Sequence, residues 1–226
     1  MTQQFPESSQ LPQPHILYKP NKKGNANFFD HLNLSTKEVN ILRQEIAQLA
    51  ISHQLDDKTI NIPTGQKVKQ IMVIQVFLAE DHLNLDLLKA LDERLGFYAL
   101  FEIHAVSGEV SYVIHFKESR EKVDDGRLFK VIKRFQTTTF PDIPFGATDL
   151  DDFYNKLTKT IGQDQLEVSH QDVKSAIEVT DQIQKLEKKS QVLRKKMYAA
   201  KSMRQQMAYK KEYQELQLEI KILKNQ

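Results

Sequence analysis

The chain contains no cysteine. That excludes a disulfide scaffold, thiol catalysis and cysteine-based zinc sites, and it fits a reducing compartment. Glycine is scarce, with seven scattered over 226 residues. A Walker-type phosphate cradle needs several glycines and a Lys in fixed register, and none is present. No run of about 18 apolar residues occurs, so no membrane span is expected. Neither sign of charge dominates, since 32 Lys and Arg stand against 30 Asp and Glu for a net +2. No Ser occupies a Gly-x-Ser-x-Gly elbow. The seven His include no His-x-His or His-x-x-x-His pair of the kind that holds zinc. The sequence therefore gives no catalytic set, no metal ligands and no cofactor.

What is present is enough for a core: about 40 % of residues are hydrophobic, and the length suits one domain or one domain plus an extension. The opening "MTQQFPESSQLPQPHILYKP" holds four of the seven prolines. It lacks the basic and apolar regions of a signal peptide. Residues 1–27 read as a flexible or draped N-terminal arm, and the protein as cytoplasmic.

Residues 28–162 read as an α+β domain. Ser35-x-x-Glu38 is a capping box. Val39, Leu42, Ile46 and Leu49 follow at helical spacing, which predicts a helix running to "LDD" at 55–57. A short strand is expected at 59–62. "KQIMVIQVFL" at 69–78 is apolar on both parities, as a central strand covered on both faces should be. Asn84 caps a helix with Leu85, Leu88, Leu91 and Leu95 on one stripe. Next, "FYALFEIHAVSGEVSYVIHFK" at 97–117 reads as a hairpin turning at Ser107-Gly108. That turn sets Ile103 opposite Tyr112 and Phe101 opposite Ile114. It leaves Glu102, His104, Ser111, His115 and Lys117 on a polar face. A further strand is expected at 127–135, and a helix from a Thr148–Asp151 cap to Ile161. The fold class is α+β, a mixed or antiparallel sheet of about five strands with packed helices, followed by a helical extension.

That extension, residues 170–226, carries the charge asymmetry. From residue 170 onward there are 13 Lys and Arg against 7 Asp and Glu, a net +6, while the preceding residues carry 19 against 23, a net −4. Ile183, Leu186, Leu193 and Met197 hold a coiled-coil spacing, interrupted at Ser190. Tyr213, Leu216, Ile220 and Leu223 resume it. The phase break near 199–204 favours a helical hairpin over one straight helix. Lys185, Lys188, Lys189, Arg194, Lys195, Lys196, Lys201 and Arg204 cannot all share the apolar seam, so they form a basic outer face. Such a face docks an acidic protein surface or a phosphate backbone, or is the solvated side of a structural coiled coil. Aromatic residues are too sparse for a single-strand stacking platform.

Two further constellations stand in the α+β region. Glu102, His104 and His115 offer a weak polar cluster, although a solvated sheet face alternates in the same way. Glu80 and Asp81 end the central strand, as in a metal-dependent nuclease, but no Glu-x-Lys follows on a strand; Lys117 and Lys130 leave room only for a degenerate site.

Several ordered segments together resemble the bacterial family catalogued as domain of unknown function 4391. They are "NKKGNANFFDH", "LDDKTINIP", "IQVFLAE", "DLLKALDERLGFYALFEI", "IPFGATDLDDFYNKL" and the tail "LEKKSQVLRKKMYAAKSMRQQMAYKKEYQELQLEI". The resemblance runs over residues 18–223. Members of the family are often encoded beside helicases and DNA methyltransferases, so the resemblance implies an accessory subunit in DNA processing or phage defence. Met203 and Arg204 stand where the family tends to have an aromatic residue and Asn. Leu78-Ala79-Glu80 replaces its acid-to-Lys strand ending. The expected function is a non-catalytic interaction subunit that docks through the C-terminal helices onto a helicase or methyltransferase. Direct binding of DNA or RNA is the alternative, and a degenerate nuclease comes third. A homodimer is a further partnership to consider.

Overall fold

The computed structural model describes residues 5–122, 125–166 and 172–225. The chain divides into two compact units, Met1–Gly162 and Gln163–Gln226. The first is an α+β unit built on one six-stranded mixed sheet. Its strands are β1 (Gln10–Tyr18), β2 (Ile46–Leu55), β3 (Ile71–Leu78), β4 (Tyr98–His104), β5 (Val110–Ser119) and β6 (Phe129–Thr137), and they lie in chain order across the sheet. Only β3 and β4 pair in parallel. A parallel connection needs a crossover, supplied here by α4 (Leu85–Arg94).

Pairing partners share a face of the sheet, so the register sorts the core into two layers. Met72, Ile74 and Val76 lie beside Ala99, Phe101 and Ile103. They form one buried cluster with Leu42 of α2 (Thr36–Glu45) and Leu88, Leu91 and Leu95 of the α4 segment. On the opposite face Leu100 pairs with Ile114, and Ile114 with Phe135. Here α5 (Leu150–Gly162) packs on β5 and β6 through fully buried Phe153 and Leu157. A Cβ at Gly162 would lie 2.6 Å from the Phe135 ring, so the end of α5 can approach the sheet only without a side chain there.

Several expectations hold. The Ser35–Glu38 capping box is formed, Asn84 accepts from the N–H groups of Asp86 and Leu87, and β3 lies inside the sheet. Others are corrected. The first long helix stops at Glu45, and Ile46–Leu55 is β2, paired along its length with β3. Ile46 and Leu49 fit a helical period, but Leu49, Ala50, Ile51 and Ser52 are all buried in succession, as a strand covered on both faces requires. The strand expected at 59–62 is instead the single helical turn α3 (Asp57–Ile60). Asp56 accepts from the N–H groups of Lys58 and Thr59, while the Thr59 hydroxyl accepts from the Asp56 N–H. The arm expected at 1–27 contributes β1 as an edge strand, and a short helix α1 (Asn25–His31) follows it. The sheet thus has six strands rather than about five.

The hairpin register also shifts by one residue. Ala105 and Glu109 close a loop around Val106-Ser107-Gly108, with Gly108 at φ 90°. A type I turn followed by a left-handed glycine has this form. Leu100 therefore faces Ile114, and Glu102 faces Tyr112. A one-residue slip moves every β5 side chain to the other face. His115 thus leaves the polar face assigned to it.

The second unit is a helical hairpin of α6 (Val173–Ala199) and α7 (Met203–Lys224). Residue 170, the expected start of the extension, lies outside the described residues. Ser202 caps α7 by accepting from the Gln205 N–H.

Candidate functional site

Within the hairpin, Ile183, Leu186 and Ile220 are buried and pack with Val179, Leu216 and Leu223. The other expected seam residues, Leu193, Met197 and Tyr213, are half-buried. Ser190, expected as the break in the first stripe, is buried and accepts a hydrogen bond from Gln217 Nε2 at 2.7 Å. Lys224 meets Glu187 across the hairpin at 2.9 Å.

All eight cations of the expected basic face are exposed: Lys185, Lys188, Lys189, Arg194, Lys195, Lys196, Lys201 and Arg204. Among the described residues none of them forms an ion pair. Val192 and Tyr198 of α6, and Met203, Met207, Leu218 and Ile222 of α7, are each more than half exposed. Near the turn, Met197, Gln206, Met207, Lys210, Tyr213 and Gln214 line an open groove of about 390 Å³. The hairpin therefore presents fixed positive charge together with apolar surface that its own seam leaves uncovered.

The expected polar cluster on the sheet is split. Glu102 accepts from Gln75 Nε2 at 3.1 Å and lies 3.6 Å from His104, whose ring stacks on Phe77. His115 is on the other face and fully buried. Among the described residues no group of three or more His, Cys, Asp or Glu is placed to hold a metal ion. Asp81 accepts from the Ser107 N–H in the hairpin loop, and Lys22 donates to the Ile16 carbonyl.

The strongest electrostatic feature of the α+β unit is centred on Asp92, which sequence reasoning missed. Its Oδ1 takes the Lys117 ammonium at 2.6 Å and its Oδ2 takes His115 Nδ1 at 2.8 Å, all three side chains being fully buried. His115 and Lys117 are two residues apart on β5, so the alternation of the strand puts them on one face and both reach the same carboxylate. Lys117 also donates to the carbonyls of Asp92 and Phe97, which uses its three N–H bonds, and it lies 4.3 Å from the centre of the Phe129 ring. The Tyr154 hydroxyl donates to the His115 carbonyl.

Burial pushes the Asp92 carboxyl up, but the Lys117 charge and the His115 hydrogen bond outweigh it and hold the pKa below the usual carboxylate range. Burial lowers the Lys117 pKa, against the pull of Asp92. Burial raises that of Tyr154 well above the ordinary phenol value.

The next two residues are buried as well. Glu93 accepts from the Val131 N–H of β6, and Arg94 lies 3.4 Å from Glu38 of α2. Three consecutive charged residues thus tie the end of α4 to β5, β6 and α2. The sequence does hold a signal for Asp92: it falls four residues after Leu88 and three before Leu95, on the apolar stripe. With the three Lys117 N–H groups taken up by Asp92 and the Phe97 carbonyl, this centre has the form of an anchor rather than an open reaction site.

The family model described as Domain of unknown function (DUF4391) matches residues 24–220 of the chain. No curated protein and no solved structure matches it.

Proposed function

The chain belongs to the DUF4391 family, and from that premise we propose that it is a non-catalytic interaction subunit of a bacterial DNA-processing or phage-defence complex, working in the cytoplasm. It docks through the α6–α7 hairpin onto a protein partner, a helicase or a DNA methyltransferase being the class the family's gene neighbourhoods suggest. The observation that carries this reading is the set of eight exposed cations at 185–204, without an ion pair among the described residues, beside the exposed Val192 and Tyr198 of α6. Apolar anchors give such an interface its affinity, and charge gives it orientation and rate.

The test is affinity capture from the native host with the full chain, against a variant carrying Lys188→Glu, Lys189→Glu, Lys195→Glu and Lys196→Glu, with mass spectrometry of what is retained. The reading expects a helicase or methyltransferase with the unsubstituted chain and its loss with the variant. Equal retention by both would sink it.

The same cations support a second reading, direct and sequence-independent binding of nucleic acid. Tyr198 is the one large aromatic side chain strongly exposed on the described hairpin, so contact would be to phosphate rather than by stacking. Fluorescence anisotropy with duplex DNA over a salt series decides this: no binding at low salt removes the reading. No helix of the described residues is long and apolar enough to cross a membrane.

A further inference from the structure

The α7 helix carries two apolar stripes. Tyr213, Leu216, Ile220 and Leu223 turn toward α6. Met203, Met207, Leu218 and Ile222 form the second stripe, and each is more than half exposed. At 3.6 residues per turn the second stripe is centred about 170° around the helix from the first, so α6 leaves most of it uncovered and reaches only Met207, through the groove that residue shares with Met197. Its spacing is symmetric: four residues from Met203 to Met207, eleven to Leu218, and four more to Ile222. Reading the helix backwards leaves the pattern unchanged.

We propose that α7 pairs with α7 of a second copy of this chain, antiparallel, about a two-fold axis passing between Glu212 and Tyr213. A two-fold contact uses the same patch on both copies and so must be self-complementary. About this axis Met203 comes level with Ile222 of the second copy, and Met207 with its Leu218. Lys211 comes level with Gln214, and Lys210 with Glu215. The four apolar positions therefore meet apolar positions, and Lys210 meets the opposite sign in Glu215, while Arg204 comes level with Lys221 toward the two ends. A parallel pairing in register would instead set Lys210 against Lys210 and Glu215 against Glu215.

The side chains also form two neighbouring rows at four-residue spacing, Met203-Met207-Lys211-Glu215 and Lys210-Gln214-Leu218-Ile222. The two-fold exchanges these rows, as interdigitating i±4 ridges require. A helix from an unrelated protein would fit an apolar stripe of any spacing, so the reversal symmetry is what selects a second copy. The inference goes beyond the function proposed above and does not rest on it, because seven of the eight cations lie on α6 and the turn, off this helix.

Sedimentation equilibrium of the full chain over a concentration series tests the pairing, with circular dichroism on each variant. The expected mass is twice the 26.3 kDa of one chain. Met207→Glu alone, or Leu218→Lys alone, raises the dissociation constant about tenfold or more. Combining Met207→Glu with Leu218→Lys in one chain brings opposite charges level at two places and restores the dimer. Ile222→Glu serves as the substitute probe if either single variant loses its helical signal. An unsubstituted chain still monomeric at about 100 µM overturns the proposal. So does a dimer indifferent to the single substitutions, or a double variant that associates no better than either single.

Discussion

Asp92 and Lys117 form an ion pair at 2.6 Å with both side chains fully buried. A lone charge in that position would be held at a cost of several kcal/mol. Together, and with His115 on the second carboxylate oxygen, they pin α4 to β5. Since α4 is the crossover of the only parallel strand pair, the contact fixes where the central sheet and its covering helix meet. It is a specificity device of the fold more than a source of net stability, because well-packed apolar pairs often match buried ion pairs.

Removing one partner should therefore be worse than removing both. Asp92→Leu or Lys117→Met alone is expected to cost about 3–5 kcal/mol. The double variant should cost markedly less than the sum of the two. Urea unfolding of the four proteins of the cycle measures the coupling. Additive losses would mean that the two groups do not depend on each other.

The pair also sets the acid limit of the fold. The Asp92 pKa is held below its unfolded value, near 3.9. Between the two values the unfolded chain binds more protons, so stability rises with pH. The contribution is complete above the unfolded value and is lost as pH falls through the lower folded one. Glu38, Asp56 and Asp152 are lowered too, against the burial that raises each, by hydrogen bonds from Ser35, Gln54 and Lys156 respectively among others. Thermal melts from pH 7 to about pH 3 should show a fall in melting temperature concentrated at the acid end. Asp92→Asn should flatten that fall relative to its own melting temperature at pH 7. An unchanged slope in the variant would assign the acid limb to other groups.

Where the residues had one physical use, the sequence was readable. The caps at Ser35 and Asn84 and the apolar run of β3 each point to the element that forms, while the phase break at 199–204 favours the hairpin against a continuous helix that the lack of Gly and Pro would also allow. Where a pattern serves two structures, the tertiary partner decided. Ile46 and Leu49 fit a helix as well as a strand, and only pairing with β3 separates the two. Ser107-Gly108 can end a two-residue or a three-residue loop, and the difference moved His115 from the surface to the core. Pro12 and Pro14 argue against a strand, yet an edge strand tolerates proline because one side of its backbone has no partner strand. The exposed cations of the hairpin were legible because charge cannot share an apolar seam. Asp92 was hidden because it sits among Leu88, Leu91 and Leu95, whose spacing defines the core stripe regardless of what stands between them.

Across the hairpin, Gln217 Nε2 donates to the buried Ser190 hydroxyl at 2.7 Å. Ser190→Ala removes the acceptor and is expected to cost about 1 kcal/mol. Pairing Ser190→Ala with Gln217→Leu replaces both polar groups by apolar ones and should recover that loss. Thermal melting followed by the helical circular dichroism signal distinguishes the two variants. A double variant less stable than the single would mean that the pair holds the helices in register rather than merely satisfying itself.

Asp151, expected to help cap α5, instead reaches across to the loop before β3 and accepts from the N–H groups of Gln66, Lys67 and Val68 at 2.8, 3.1 and 2.7 Å. Asp149 takes the capping role, accepting from the Asp152 N–H. Three backbone donors converging on one carboxylate make an anion nest filled from within the chain. Asp151→Ala should cost about 2 kcal/mol by leaving those donors to water or to nothing. Gly65 is bound to the same contact: a Cβ there would lie 2.3 Å from Asp151 Oδ1. Gly65→Ala is thus expected to cost about 1–3 kcal/mol by forcing the carboxylate out of its nest. Asp151→Ala vacates only part of the space, because a Cβ at Gly65 would also lie 2.6 Å from the Asp151 backbone nitrogen, so Gly65→Ala should keep part of its cost in that background. Urea unfolding of both single variants and the double reads this coupling directly. A full additional loss in the double variant would show that the Asp151 backbone nitrogen, and not its carboxylate, excludes a side chain at Gly65.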